Sequence, residues 1–400
     1  MFEYILPILL GVLFGIFTGL IPGIHINMIA SIVLINSFFL LNYFDPIILC
    51  IFILSMSITH TFVDFIPSIL FGVPNPDTAL SVLPGHQMVL RGEAYNAIYL
   101  SSIGSLFGLF TSLFMATIFF FILNSVYDRI TPVIPYLLLI VILVLIVFEG
   151  TKNKIFWAFI ISLFSGGYGL LILNSKMISN PLLILFSGIF GVASIVYALM
   201  DSNSKIPSQN YEKKVNFDIN FFKGLGIGTI CSSICSITPG IGNSQAAILA
   251  SVFMKNMSSQ IFIVVLSSIN TINFILSIVT LYIIDRARNG SILVISQLIE
   301  IYFKDLILFI FISFIVCIIA FYITLILGKS IIKFISKVSI IKVNVSILIF
   351  IFILIFVFEK GIGILALLGA SSLGILCILL NVRRVHLMNV LIIPVIINLI

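Results

Sequence analysis

A histidine and an aspartate stand four residues apart inside an apolar stretch, at His60 and Asp64. This spacing places both side chains on one face of an α-helix. Because such groups cost about 3 kcal/mol or more near the centre of a bilayer, they are candidates for function. We predict that the pair couples an ion or contacts a substrate. The alternative, a satisfied pair that only holds helices together, stays open. Asn270 and Asn273 occupy a comparable place in the second half, but they cannot titrate.

Two proline–glycine pairs interrupt apolar segments, Pro22-Gly23 and Pro239-Gly240. Each interruption frees backbone groups that lipid cannot satisfy, so it is expected to face a cavity or other protein atoms. The helix that follows attracts anions to its first turn, where N–H groups are free. The alternative is a plain kink whose polar neighbours join helices. The predicted substrate-binding residues are both pairs and the residues after them, His25, Asn27, Gly242, Asn243, Ser244 and Gln245.

Arg91 lies at the end of a stretch, residues 71–94, that is rich in proline, glycine and polar residues. A guanidinium group is a good counter-ion for a carboxylate or a phosphate. The stretch is long for a simple connection between helices, which favours a loop that gates or lines a cavity. We therefore predict that Arg91 contacts substrate, with pairing to Asp77 or Glu93 as the alternative.

The composition excludes most soluble classes of protein. Hydrophobic residues make up 61% of the 400 residues and charged residues 8%, whereas soluble domains carry about a quarter charged residues. Soluble enzymes, disordered proteins and nucleic-acid binders are therefore excluded, and a multi-pass protein of the cell membrane is predicted. No HExxH or GxSxG motif supports catalysis. We expect no enzyme activity and no bound cofactor.

Fourteen apolar segments divide evenly between residues 1–200 and 221–400, on either side of a polar linker at 201–220. Several segments reach the ~20 residues that a helix needs to cross ~30 Å of hydrocarbon, and none alternates in polarity as a barrel strand does. The sequence therefore predicts an all-α integral membrane protein with about 10–12 transmembrane helices. Glu149 and Glu359 fall at helix ends, where solvation at the membrane interface is expected.

The two halves resemble each other and form two predicted membrane repeats. If each Pro-Gly pair turns a re-entrant hairpin, fourteen of the twenty lysines and arginines lie on one side of the membrane. The positive-inside rule then places that side and the linker in the cytoplasm, with the second repeat inverted. A single broken span at each pair would change this topology. Two motifs recur, Pro22-Gly23-Ile24 as Pro239-Gly240-Ile241 and Val147-Phe148-Glu149 as Val357-Phe358-Glu359.

Several motifs, spread over nearly the whole chain, resemble the large membrane subunit of tripartite tricarboxylate transporters, the TctA family, especially its shorter archaeal-looking members. His25 departs from the family motif, which commonly continues with a second glycine. The matching motifs are Gly15-x3-Gly19-x2-Pro22-Gly23, Phe65-Ile66-Pro67-Ser68-Ile69-Leu70-Phe71-Gly72-Val73-Pro74, Pro84-Gly85-x2-Met88-x3-Gly92-x-Ala94-x2-Ala97, Pro239-Gly240-Ile241-Gly242 and Arg383-Arg384-x3-Met388-x2-Leu391-x2-Pro394.

The resemblance implies a secondary transporter that imports carboxylates on an ion gradient, with Na⁺ or H⁺ as the coupling ion. It also implies two partners, a small membrane subunit and an extracytoplasmic binding protein. We expect a permease for an organic anion, a di- or tricarboxylate, that binds between the two Pro-Gly hairpins. The alternative is a carrier of polyprenyl or dolichyl phosphate, since a lipid phosphate offers the same half-helices an anion.

Overall fold

In the computed structural model of the protein, the described residues are mainly helical. It describes residues 2–21, 26–72, 78–200, 207–237, 242–254, 257–335 and 340–400. The helices of the first half are α1 (Ile5–Leu20), α2 (Ile26–Ile35), α3 (Ser37–Leu40), α4 (Pro46–Val63), α5 (Phe65–Phe71), α6 (Val82–Leu90), α7 (Ala94–Ile130), α8 (Ile134–Val147), α9 (Lys152–Leu173), α10 (Pro181–Phe186) and α11 (Ala193–Met200).

The second half has fewer but longer helices. These are α12 (Ile219–Ile237), α13 (Asn243–Phe253), α14 (Ser259–Ile284), α15 (Gly290–Leu298), α16 (Phe303–Ile335), α17 (Ile340–Leu379) and α18 (Asn389–Leu399). A π-helical turn, Ser187–Val192, joins α10 to α11, and a 3-10 turn, Arg384–Met388, precedes α18. Within the described ranges there is no strand.

Six of the described helices are long and apolar enough to cross a membrane. The all-α, multi-pass fold predicted from composition is therefore confirmed, whereas the inverted relation of the halves and the re-entrant hairpins stay predictions. The six are Pro46–Phe71, Ala94–Ser125, Lys152–Leu173, Ser259–Ile284, Phe303–Ile335 and Asn344–Leu379. Shorter apolar helices cover Ile5–Leu20, Pro135–Val147, Pro181–Tyr197 and Arg384–Leu399.

Two of these long spans are interrupted. α4 and α5 form one span with a break at Asp64, because Pro67 has no N–H to donate to the carbonyl of Val63. α17 would be about 60 Å long if straight, twice the thickness of the hydrocarbon core. Lys360, with φ 56° and ψ −151°, interrupts it, so α17 contributes two apolar segments, as the sequence pattern predicts.

Small residues let the first helix of each half pack closely on the third apolar segment of that half. A Cβ atom added to Gly11 or to Gly15 would lie 2.6 Å from atoms of α4. In the second half α12 packs on α14, where a Cβ atom on Gly228 would lie 3.2 Å from Val265. Since a Cβ atom would crowd both contacts, a glycine on the first helix favours close packing in each half.

The halves interlock rather than stand apart. α4 packs against α16 of the second half, and α14 packs against α7 of the first half. α9 packs against α18, while the π-helical turn of the first half packs against α17. Each half thus completes the packing of the other, and residues of both halves meet in the interior.

Glu149 and Glu359 connect the two halves by hydrogen bonds. The Glu149 Oε1 atom accepts a hydrogen bond from the Arg383 backbone N–H at 3.1 Å, just before the 3-10 turn that leads into α18. Glu359 accepts from the backbone N–H groups of Ser179 and Asn180, at 2.8 and 2.6 Å, at the start of α10. Both carboxylates are buried, so the expected interfacial solvation is wrong. Each carboxylate accepts hydrogen bonds from backbone N–H groups that would otherwise lack a partner at the start of a helix in the other half.

The polar linker is also held in place. The side-chain amide of Gln209 accepts from the Ala94 N–H at 3.0 Å and donates to the Val89 carbonyl at 3.0 Å. The Lys214 N–H donates to Asn96 Oδ1 at 2.8 Å. The described part of the linker, from residue 207 onward, therefore lies along the start of α7, and α12 begins at Ile219.

Candidate functional site

Each Pro-Gly pair falls between two helices. α1 ends at Leu20 and α2 begins at Ile26, while α12 ends at Ile237 and α13 begins at Asn243. The helices after the breaks have 10 and 11 residues, so each is about 15 Å long and too short to cross the hydrocarbon core alone. Five predicted site residues lie outside the described ranges, Pro22, Gly23, His25, Pro239 and Gly240.

His60 and Asp64 lie together in the interior, as their spacing predicts. The side chains are 3% and 1% exposed, and His60 Nε2 lies 3.8 Å from Asp64 Oδ2. His60 Nδ1 is 3.0 Å from the hydroxyl oxygen of Thr18 on α1, and this hydroxyl also lies 3.3 Å from the Gly15 carbonyl. When Thr18 donates to Gly15, its oxygen accepts from Nδ1–H, and Nε2 then faces the carboxylate. We call Thr18, His60 and Asp64 the acidic cluster.

The position of Asp64 at the α4–α5 break is held by its own backbone. Its N–H donates to the His60 carbonyl at 3.0 Å, and its carbonyl accepts from the Ser68 hydroxyl at 3.0 Å. The Ser68 and Thr78 hydroxyl oxygens are 2.5 Å apart. Because hydroxyl groups support the interrupted backbone, the carboxylate is kept within reach of His60 at a fixed place in the span.

A second buried polar group, the asparagine cluster, consists of Asn243, Asn270 and Asn273. Asn243 Nδ2 donates to Asn270 Oδ1 at 2.6 Å, and Asn273 Nδ2 donates to Asn243 Oδ1 at 2.5 Å. The amide nitrogen of Asn270 and the amide oxygen of Asn273 have no hydrogen-bond partner among the described residues. Buried polar atoms are normally satisfied, so this cluster offers one donor and one acceptor to a further group.

One residue of each cluster occupies a corresponding place in its half. Gly11 of α1 packs against Ser55 of α4, and Gly228 of α12 packs against Ser268 of α14. His60 follows Ser55 by five residues, and Asn273 follows Ser268 by five. Counted from the glycine contacts, Asn273 therefore stands in α14 where His60 stands in α4.

The other residues predicted after the breaks have different environments. Asn27 Oδ1 accepts from the Ser291 N–H at 3.1 Å, so Asn27 contacts the start of α15 rather than the asparagine cluster. Ser244 is buried in the first turn of α13 beside Asn243. Gly242 immediately precedes that turn, and its carbonyl accepts from the Ala246 N–H at 3.2 Å. Gln245 lies in the same turn of the backbone.

Arg91 is exposed at the end of α6, away from both clusters. Gln87 of α6 accepts a hydrogen bond from Ser259, the first residue of α14, at 2.9 Å. Asn270 lies eleven residues further along α14, about 16 Å away along the helix axis. The structure therefore does not bring Arg91 to the asparagine cluster. Within the stretch 71–94, residues 82–90 are helical rather than the loop that their proline and glycine content indicates, and residues 73–77 lie outside the described ranges.

Residues of both halves line a cavity of about 630 Å³. Its walls come from α6, the end of α8, the π-helical turn, α13, the start of α14 and residues 383–385. Arg384 lines it and donates from Nη1 to the Ser194 hydroxyl at 2.7 Å. From the sequence, Arg383 and Arg384 are part of a family motif and of the charge count that sets the topology, but they are not among the predicted site residues. Two neighbouring arginines in a chain with 8% charged residues were the signal that could have marked them as site residues.

Comparison with known proteins agrees with the motifs. The matching family is described as the tripartite tricarboxylate transporter TctA family, and its match covers residues 5–389. The uncharacterized protein MJ1079 of Methanocaldococcus jannaschii is 31% identical over 401 residues, which cover 98% of this chain and 97% of that protein. No solved structure matches the chain.

Proposed function

Because the chain belongs to the tripartite tricarboxylate transporter TctA family, we propose that it is the subunit that moves a di- or tricarboxylate across the membrane on an ion gradient. The family supports a transporter component with a small organic anion as substrate and with further subunits. We propose that these subunits are a small membrane protein and an extracytoplasmic binding protein. The family gives no support to the carriage of a lipid phosphate.

The asparagine cluster is the observation that carries this proposal. It joins the first turn of α13, directly after the second Pro-Gly break, to the middle of α14. The free amide nitrogen of Asn270 is a donor for a carboxylate oxygen, and the helix start adds free N–H groups and the positive end of its dipole. Because amides carry no charge, they bind an anion without holding it too tightly for release.

The acidic cluster is the proposed place of ion coupling. Asp64 can take up a proton or contact Na⁺, and His60 can exchange a proton through Nε2. The energy of a buried carboxylate in a membrane span depends strongly on whether a proton or Na⁺ is bound to it, because uncompensated charge is costly there. Occupancy of Asp64 would then bias the movement of one repeat against the other. The duplicated packing of α1 on α4 and of α12 on α14 supports such paired movement.

Thermal stability of the purified protein tests the substrate class. Citrate, smaller dicarboxylates and a polyprenyl phosphate are added in parallel, since a ligand stabilises by RT ln(1 + [L]/Kd). We expect stabilisation by a carboxylate, loss of that stabilisation in Asn243→Ala, and its retention in the control Asn42→Ala, whose side chain is exposed and bonds only locally. Stabilisation by the lipid phosphate alone would contradict the proposal.

A further inference from the structure

We propose that the arginine-lined cavity is a second binding site for the transported carboxylate, with Arg384 as its principal contact. This inference rests on the proposed function. It adds a binding site whose residues are not among the predicted substrate-binding residues. By the charge-based topology, the loops around the cavity lie on the side rich in lysine and arginine. The cavity would therefore hold the anion where it leaves the membrane for the cytoplasm.

The first argument is the environment of Arg384. Its guanidinium group carries five N–H donors, and the bond that the structure gives it is to the uncharged hydroxyl of Ser194. Within the described ranges no carboxylate lies within 4.0 Å of it. A partly buried positive charge without a counter-ion is unfavourable. An anion that enters the cavity would remove this cost and could bind two N–H groups at once.

The second argument is that the neighbouring acid is already occupied. Glu149 Oε1 bonds His386 Nε2 at 2.8 Å and the Arg383 N–H at 3.1 Å. The Arg383 side chain is 59% exposed, and its Nε atom lies 3.9 Å from the same oxygen. Glu149 is therefore already shared between His386 and Arg383. The wall formed by residues 383–385 keeps a positive charge that is available to a ligand.

The charge of Arg384 also reaches His86 on α6. Burial and then the positive charge of Arg384 lower the pKa of His86 below its ordinary value. The imidazole is therefore neutral near pH 7 and adds no competing charge of its own. A residue of α6 in the first half thus senses a guanidinium group of the second half.

The third argument is the size and lining of the cavity. A volume of about 630 Å³ falls within the roughly 300–1,000 Å³ of small-molecule sites. Gln87 and Ser251 supply polar groups, while Phe148 and Phe190 supply apolar wall. A few polar groups on a mainly apolar wall are typical of such sites. The lining suits a small anion with a hydrocarbon backbone.

The position of the cavity along α13 connects it to the asparagine cluster. Ser251 lines the cavity, and Asn243 begins the same helix. Eight residues separate them, which corresponds to about 12 Å along the helix axis. The asparagine cluster and the arginine-lined cavity therefore lie at opposite ends of one helix, α13.

A thiol placed in the cavity tests whether its field attracts anions. We would label Ser251→Cys in nanodiscs, where both faces are open, with an anionic and a cationic methanethiosulfonate. The five native cysteines are buried and provide the background rate. We expect the anionic reagent to react faster than the cationic one by on the order of tenfold. Added citrate is expected to slow the reaction.

Matched arginine variants test whether the preference for the anionic reagent arises from the charge of Arg384. Arg384→Gln is expected to abolish the preference for the anionic reagent, and Arg384→Lys is expected to keep it. Arg286→Gln is the control, because this exposed arginine follows α14, whose other end lies at the cavity. It removes an equal charge and should leave the preference unchanged.

The outcomes separate this inference from the proposed function. Equal rates for both reagents, or a preference that survives Arg384→Gln, would overturn the cavity as an anion site. A preference that depends on Arg384 while citrate gives no protection would support the anion site and contradict a carboxylate as its occupant. Citrate protection that is lost in Arg384→Gln supports both.

Discussion

The acidic cluster and the asparagine cluster share one corresponding position of the two halves, His60 and Asn273, but differ in chemistry. The first contains two titratable groups, His60 and Asp64, 3.8 Å apart. The second contains three amides joined by hydrogen bonds of 2.5 and 2.6 Å. One half can therefore change its charge, whereas the other offers a constant set of donors and acceptors. We infer a division of labour, in which the first half responds to an ion and the second binds the anion.

The scaffold around the clusters does not explain this difference. Gly11 and Gly228 bring the first helix of each half onto α4 and α14 in the same manner. His60 lies near the middle of the long apolar span formed by α4 and α5, and Asn270 and Asn273 lie near the middle of α14. The glycine contacts are thus shared by the two halves, whereas the polar side chains and the helix break at Asp64 are not.

The largest effect is expected from Asp64→Asn. The amide keeps the size of the side chain but cannot release or accept a proton as the carboxylate does. Uptake of labelled citrate by proteoliposomes should fall by at least about a hundredfold, on the scale of a lost charged interaction of about 3 kcal/mol. The melting temperature of the variant serves as the control for folding. An active Asp64→Asn protein would remove Asp64 from the mechanism.

His60→Asn makes the acidic cluster resemble the asparagine cluster more closely. Its amide can still bond Thr18 but does not titrate near neutral pH. We expect slow downhill citrate movement that no longer responds to a pH gradient, measured with and without an imposed gradient. A response equal to that of the wild-type protein would show that His60 serves only to hold α1 and α4 together.

Asn270→Ala sharpens the role of the second half. It removes the acceptor of Asn243 Nδ2 and the free donor proposed for the carboxylate. We expect citrate affinity to weaken about tenfold, which corresponds to 1–2 kcal/mol for a lost hydrogen bond. Calorimetric titration measures this affinity. If Asn270→Ala left the citrate affinity unchanged while Asn243→Ala still abolished it, the ligand would contact only the α13 side of the cluster.

The smallest effect tests the shared scaffold rather than the clusters. An added Cβ atom at Gly15 would lie 2.6 Å from the Met56 carbonyl oxygen, while nothing lies within 4 Å of one at Gly167. Gly15→Ala should therefore lower the free energy of unfolding by about 1–3 kcal/mol. Gly167→Ala should leave it unchanged or raise it slightly. Equal melting temperatures for the two variants would contradict the close packing of α1 on α4.

Local spacing predicted what lies within one helix. The separation of His60 and Asp64 set their shared face, and the Pro-Gly pairs marked the places where helices end. Their neighbours in space depend on distant parts of the chain. Asn27 bonds Ser291, which is 264 positions away, so its polar character could not reveal that it contacts the start of α15.

Contacts between distant parts of the chain also explain why the sequence did not predict the environments of Glu149 and Arg384. Glu149 was expected at a solvated interface because it follows an apolar run, but its partners lie 234 and 237 residues later. Arg384 meets Ser194 across 190 residues. Periodicity carries no information on such pairs, and a cavity made by six separate elements leaves no pattern in any one of them. Proline and glycine in 82–90 predicted a loop, but Gly85 permits close packing of α6 on Ile69 instead.

The most direct test of the division of labour is calorimetric titration of citrate into the purified protein at two pH values, with and without Na⁺. We expect binding by the wild-type protein to strengthen when protons or Na⁺ are supplied, and binding by Asp64→Asn to be insensitive to both. Asn243→Ala is expected to lose the ion-dependent binding under every condition and to keep only binding at the arginine-lined cavity. Ion-dependent binding that persists in Asp64→Asn, or unaltered binding by Asn243→Ala, would contradict the assignment of ion and anion to separate halves.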